Sequence, residues 1–120
     1  MKEVTIIWTN RNNTKIIVTT PNEVLRSADI LSEEPDVPAI GITPEYRKDQ
    51  FTARQNYFIS ILKTIKESKE IVIFGSDNTK EELLDFINEH DSDLFSKIIG
   101  VEASLEMPEE KIIARGRKYI

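Results

Sequence analysis

The chain has 120 residues, 39% of them hydrophobic and 31% charged, the proportions of an ordinary globular protein. Sixteen Lys and Arg against 21 Asp and Glu give a net charge of −5, which argues against wholesale coating of nucleic acid or an anionic membrane but leaves room for a local basic face. No cysteine is present, so disulfides, thiol nucleophiles and Cys-ligated zinc are excluded.

Apolar strand character begins at Val4, which leaves no room for a signal peptide, and no apolar run approaches the ~20 residues of a membrane span. A single cytoplasmic domain over residues 1–120, without a membrane partner, is expected. Val4-Thr5-Ile6-Ile7-Trp8 and Lys15-Ile16-Ile17-Val18-Thr19-Thr20 are β-branched and aromatic, and asparagine-rich turn chemistry lies between them. They read as an antiparallel hairpin. From Glu23 to Leu31, Val24, Ala28 and Leu31 fit a helical stripe, while Val24, Ala28 and Ile30 fit one face of a strand. We read a third meander strand, with the helix as the alternative.

Ser32 to Asp49 shows no clean period, and Pro35, Pro38 and Pro44 read as helix breakers. This longest irregular stretch is the natural place for a functional loop. A helix follows from about Gln50 to Ser68, with Phe51, Arg54, Tyr57, Phe58, Ile61, Leu62 and Ile65 at i, i+3, i+4 spacing and Lys63, Lys66 and Glu67 facing out. Ile71-Val72-Ile73-Phe74 is the next strand. A helix over 79–90 opens at Asn78 or Thr79 as capping residue, with Glu81 and Glu82 in its first turn. Lys97–Val101 is a fifth strand, and Pro108 starts a last helix to about residue 118. Gly116 costs that helix about 1 kcal/mol against alanine, so a close approach to the sheet is expected there. Meander, then helix, strand, helix, strand, helix, predicts an α/β fold: a mixed five-stranded sheet with an antiparallel meander followed by βαβα, ribonuclease-H-like, with helices on the sheet faces.

Four groupings carry candidate chemistry. Gly75, Ser76, Asn78 and Thr79 form a strand-to-helix turn whose backbone N–H groups suit a phosphorylated or nucleotide ligand. Helix capping is the stronger reading, because no Walker or dinucleotide glycine pattern is present and Asp77 repels anions. His90 lies between Glu89 and Asp91 at a helix end, where a cationic ring complements the dipole more simply than it serves catalysis. A ribonuclease H-type nuclease needs an acid on the first strand. Here Glu3 stands only at its entry, and Asn10, just past it, is a poor magnesium ligand. Lys111, Arg115 and Lys118 recur at i, i+4, i+7 on the last helix, as an RNA-phosphate stripe or, more simply, as complements to the helix dipole. Trp8 and Phe74 belong in the core. No metal or other cofactor is expected, and the residues lean away from an enzyme.

Several anchors line up with one family. They are Trp8-Thr9-Asn10, Tyr57-Phe58, Ile71-Val72-Ile73-Phe74-Gly75, Lys80-Glu81-Glu82-Leu83-Leu84, Ile99-Gly100-Val101-Glu102-Ala103, and Met107-Pro108 leading into Ile112-Ile113-Ala114-Arg115. On these residues the chain resembles a small stand-alone relative of the central domain of archaeal and eukaryotic class-1 peptide-chain release factors, of the translational machinery or host-attachment type. The resemblance implies a translation-associated protein whose partner is the ribosome or tRNA, not DNA. It implies an RNA-facing surface at Lys111, Arg115 and Lys118, joined by Arg47, Lys48 and Arg54. The family's Gly-Gly-Gln loop is missing: the nearest segment is Ile40-Gly41-Ile42, with Gln50 and Gln55 apart from it. Peptide-release chemistry is therefore not carried over. The remaining alternative is a structural homodimer through an exposed sheet edge or helix face.

Overall fold

The β-branched runs do form strands, and their alternation decides which helix covers which face. The structure, a computed structural model, describes residues 2–120. Its strands are β1 (Val4–Thr9), β2 (Asn13–Thr19), β3 (Val24–Leu31), β4 (Ile71–Gly75) and β5 (Ile98–Ala103); its helices are α1 (Pro44–Ile65), α2 (Thr79–His90), the short α3 (Ser92–Phe95) and α4 (Glu109–Arg117). The sheet order is β3-β2-β1-β4-β5. β1, β2 and β3 form the antiparallel meander, and β4 and β5 continue parallel to β1. This is the mixed five-stranded α/β sheet of ribonuclease-H-like folds, and Ile71–Phe74 lies inside it between β1 and β5 rather than at an edge.

Alternate residues of the central strands point to opposite faces, and all of β1 and β4 is buried. On one face Ile7, Ile16, Ile71 and Ile73 pack against Tyr57, Phe58, Ile61 and Ile65 of α1 and Leu83, Phe86 and Ile87 of α2. On the other, Val4, Ile6, Trp8, Ile17, Val72 and Phe74 meet Ile112 of α4, with Ile113, Tyr119 and Ile120 alongside. Trp8 and Phe74 are core residues, as their apolar context requires. Gly116 is the expected close approach: a Cβ there would overlap the side chain of Ile6.

Several boundaries differ from the sequence reading. The third meander strand is as read, running from Val24 to Leu31; the differences lie elsewhere. β2 begins at Asn13, so the hairpin turn is shorter: Asn10 Oδ1 accepts from the backbone N–H of Asn12 and of Asn13, each at 2.9 Å. That local bonding is what Asn10 does in place of an acid at the end of β1. α1 begins at Pro44, not near Gln50. Thr43 Oγ1 accepts the N–H of Tyr46 at 3.0 Å, and Pro44 occupies the first helical position, where its missing N–H costs nothing. α1 thus spans 22 residues, about 33 Å at 1.5 Å per residue. Phe51, read as part of its buried stripe, is 65% exposed. The capping of α2 also differs, since Asn78 makes no side-chain cap and Asp77 Oδ1 instead accepts the N–H of Thr79 at 2.9 Å. The four residues of α3 were not foreseen as a helix, although Asp91 caps them by accepting from Leu94 N–H at 3.0 Å.

Candidate functional site

β1 and β4 end side by side, with Thr9 paired to Gly75. Beyond that pair the chain turns back into β2 on one side and forward into α2 on the other, and a crevice opens where the connections diverge. Outside the carboxyl ends of parallel strands is where open α/β sheets place ligands. Gly75 is required for this closeness, since a Cβ there would stand 2.5 Å from the Thr9 carbonyl oxygen.

Asp77 closes the floor of the crevice. Its Oδ1 takes the N–H of Thr79, and its Oδ2 accepts the backbone N–H of Arg11 at 3.0 Å. Burial pushes the Asp77 carboxyl up, but the bonds from Thr79 and Arg11 outweigh it and hold the group below the ordinary aspartate value. A carboxylate therefore already occupies the Thr79 backbone donor, which an anion at the Gly75–Thr79 turn would seek.

The outer wall is an ion-pair network. Glu34 Oε1 accepts from Arg11 at 3.0 Å and from Gln50 Nε2 at 3.2 Å, while its Oε2 accepts from Arg54 at 3.3 Å. Arg54 also donates to Glu82 on α2 at 2.9 Å and lies 5.0 Å from the centre of the Phe58 ring. The side chains of Glu34 and Arg54 are only 11% and 13% exposed, so solvent screens this pair weakly. The network clips the 32–43 segment to α1 and α2.

Behind it lies a relay of hydroxyls. Tyr57 Oη donates to the Asn10 carbonyl at 2.9 Å, and a carbonyl can only accept. Thr14 must then donate to Tyr57 over 2.6 Å, and Thr9 to Thr14 over 2.7 Å. Burial raises the Tyr57 phenol above its ordinary value, so it stays the donor this relay needs.

Two adjoining hollows result. One, of about 310 Å³, is lined by Arg11, Arg54, Asp77, Asn78, Thr79 and Glu82. The other, of about 410 Å³, is lined by Arg11, Arg47, Gln50, Phe51, Arg54 and Glu82. The structure thus brings Arg54 beside Asn78 and Thr79, with Arg47 in the adjoining hollow, although the sequence reading assigns the two groups to separate sites. Gly75 is buried beneath them and Ser76 is exposed. Lys48 is exposed but lines neither hollow.

The basic stripe of α4 lies elsewhere. α4 packs on the sheet face opposite α1 and α2, so Lys111, Arg115 and Lys118 do not join Arg47, Lys48 and Arg54 in one surface. Lys111 and Lys118 are exposed. Arg115 is engaged, donating to Glu102 at 2.9 Å and lying 5.4 Å from the centre of the Phe74 ring. Tyr119 also bonds Glu102. Arg117 ties the end of α4 to Thr19 and the Thr20 carbonyl at 3.0–3.2 Å. His90 stacks on Phe86 with ring centres 4.0 Å apart, its Nδ1 2.9 Å from the Phe86 carbonyl oxygen. Among the described residues no three of His, Asp and Glu gather as metal ligands.

Arg11, Glu34 and Glu82 escaped the sequence reading as site residues. They reach the crevice from the β1–β2 turn, the 32–43 loop and α2, and nothing local marks them.

Solved structures share this arrangement of strands and helices. Pelota from Archaeoglobus fulgidus superposes over 98% of this chain with a TM-score of 0.64 at 11% identity, and Pelota from Thermoplasma acidophilum over 97% with 0.67 at 13%. An archaeal translation termination factor, aRF1, superposes over 98% with 0.58 at 16% identity. The fold is theirs. The chain spans about a third of the length of these proteins, 31%, 33% and 35% respectively. No protein-family model and no curated protein matches the sequence.

Proposed function

We propose that this protein is a translation-associated binding protein that engages RNA of the ribosome or a tRNA and carries out no peptide release. The observation that carries the reading is the superposition of nearly the whole chain on part of a translation termination factor, a fold likeness that agrees with the release-factor anchors in the sequence. The 32–43 loop supports the second half of the reading. It holds one glycine, Gly41, at a φ of 98°, where the release-factor motif needs two followed by glutamine. A phosphate ligand held by the Gly75–Thr79 turn itself is disfavoured, because the Asp77 carboxylate stands in it and already fills the Thr79 backbone donor.

The test is sedimentation of the tagged protein from its native cell through a sucrose gradient at low salt. Migration with ribosomal particles, reversed by raising the salt, is expected. Recovery only at the top of the gradient at low salt overturns the reading.

A further inference from the structure

Phe51 is out of place as a structural residue. It sits on α1 with 65% of its surface exposed, whereas Phe58, two turns on, is 4% exposed in the core. Its neighbours on the same helix face are Arg47, one turn before, and Arg54, one turn after. All three line the larger hollow together with Arg11. At about 410 Å³ this space lies in the range small ligands occupy, ~300–1,000 Å³. It is far too small for a duplex.

The charges in the hollow are not equivalent. Arg54 is consumed by Glu34 and Glu82, and Arg11 shares Glu34 from a side chain 57% exposed. Glu34 stands behind the wall at 11% exposure. Arg47 makes no ion pair among the described residues. The exposed carboxylate on this wall, Glu82, repels phosphate but accepts from a base amino group, as carboxylates do from cytosine. An aromatic face beside guanidinium groups is the combination that binds single-stranded nucleic acid, the ring stacking a base and the cations holding its phosphate.

We propose that the cleft takes one nucleotide, its base stacked on Phe51 and its phosphate held by Arg47 and Arg11. The inference rests on the translation reading for its source, an unpaired residue of RNA, although a free mononucleotide shares the chemistry.

The experiment uses the full chain and a fluorescein-labelled 12-residue oligoadenylate, read by fluorescence anisotropy at low salt, with AMP as competitor. Ribosome sedimentation is run in parallel. Phe51 and Arg47 are exposed, so their variants retain the fold, which circular dichroism checks. Phe51→Ala is expected to weaken binding by roughly tenfold or more, in keeping with the loss of one stacked base, and Phe51→Tyr to bind like the parent. Arg47→Ala should lower the magnitude of the log–log salt slope by about 0.7, one phosphate contact on a single strand. Displacement by AMP assigns the site to free nucleotides as well, and resistance to AMP assigns it to RNA alone. If Phe51→Ala and Arg47→Ala both bind like the parent, or the parent fails to bind the oligoadenylate, the proposal is wrong. Continued migration of the parent with ribosomes then leaves the translation reading standing, and its absence removes both.

Discussion

Gly116 sits where α4 lies across β1, and the cost of a helical glycine is repaid there by contact. Against alanine it loses about 1 kcal/mol of helix propensity. A methyl group at that position would overlap Ile6, which is fully buried between β2 and β4 and has nowhere to go. Overpacking of this kind costs about 1–3 kcal/mol. Gly116→Ala is therefore expected to destabilise the protein by up to about 2 kcal/mol net, seen as a lower denaturant midpoint with an unchanged slope. A more stable variant would show that Ile6 yields and that propensity dominates. This glycine was legible in the sequence because it interrupts an otherwise apolar stripe. Phe51 was not. Its spacing from Phe58 obeys helical periodicity, but periodicity reports which side of a helix a residue is on and not whether anything lies beneath that side.

At the scale of elements, the second half of α1 was readable and the first half was not. Tyr57, Phe58, Ile61 and Ile65 are buried and recur at helical spacing, so they betray the part that lies on the sheet. Between Pro44 and Asn56 only Tyr46 is buried, which leaves no stripe to find. Pro44 was read as a breaker alongside Pro35 and Pro38, yet Thr43 before it and Glu45 after it are the residues of a helix start. The 32–43 segment ahead of it has no regular structure beyond a turn at Ala39–Ile40. Its anchor to the helices is Glu34, accepting from Arg11, Gln50 and Arg54. Removing that carboxylate takes the acceptor from Gln50 and from one arm of Arg54, both partly shielded from water, a loss of roughly 1–3 kcal/mol, and the loss falls on the segment rather than the sheet. Glu34→Ala is expected to speed protease cleavage within 32–43 severalfold while the amides of β1 and β4 keep their hydrogen-exchange protection. Equal cleavage of variant and parent would mean that the ion pairs do not hold the segment in place.

For the molecule as a whole, the change of period from two to 3.6 along the chain determined the layers and the sheet, because each element buries its own apolar face. The crevice depends instead on pairs such as Arg11 with Glu34 and Arg54 with Glu82, which meet only after the sheet has formed, and no local pattern encodes them. The same tertiary logic governs acid stability. Between β5 and α4, the hydrogen bond from Tyr119 and then that from Arg115 hold the Glu102 carboxyl below the ordinary glutamate value, and beyond the end of β4 Asp77 is likewise lowered. A carboxyl whose pKa falls on folding contributes stability that is complete above its unfolded value, ~3.9 for Asp and ~4.3 for Glu. That contribution is lost as the pH drops through the lower folded value. Over the same range the 21 acidic side chains neutralise and leave 16 Lys and Arg uncompensated, so self-repulsion adds to the loss. Tyr119 behaves in the opposite sense. Its bond to Glu102 raises the phenol, so that contribution is present below the unfolded value of ~10 and disappears as the pH rises through the higher folded value. Denaturant midpoints at pH 7, 5, 4 and 3 should fall steeply below about pH 4.5 in the parent. Glu102→Gln, which keeps an acceptor for Tyr119 but cannot titrate, should start lower at pH 7 and fall less. The decline that remains in the variant belongs to Asp77 and the other carboxylates. Parallel profiles for parent and variant would show that Glu102 does not couple α4 to the sheet in a pH-dependent way, whatever its contacts.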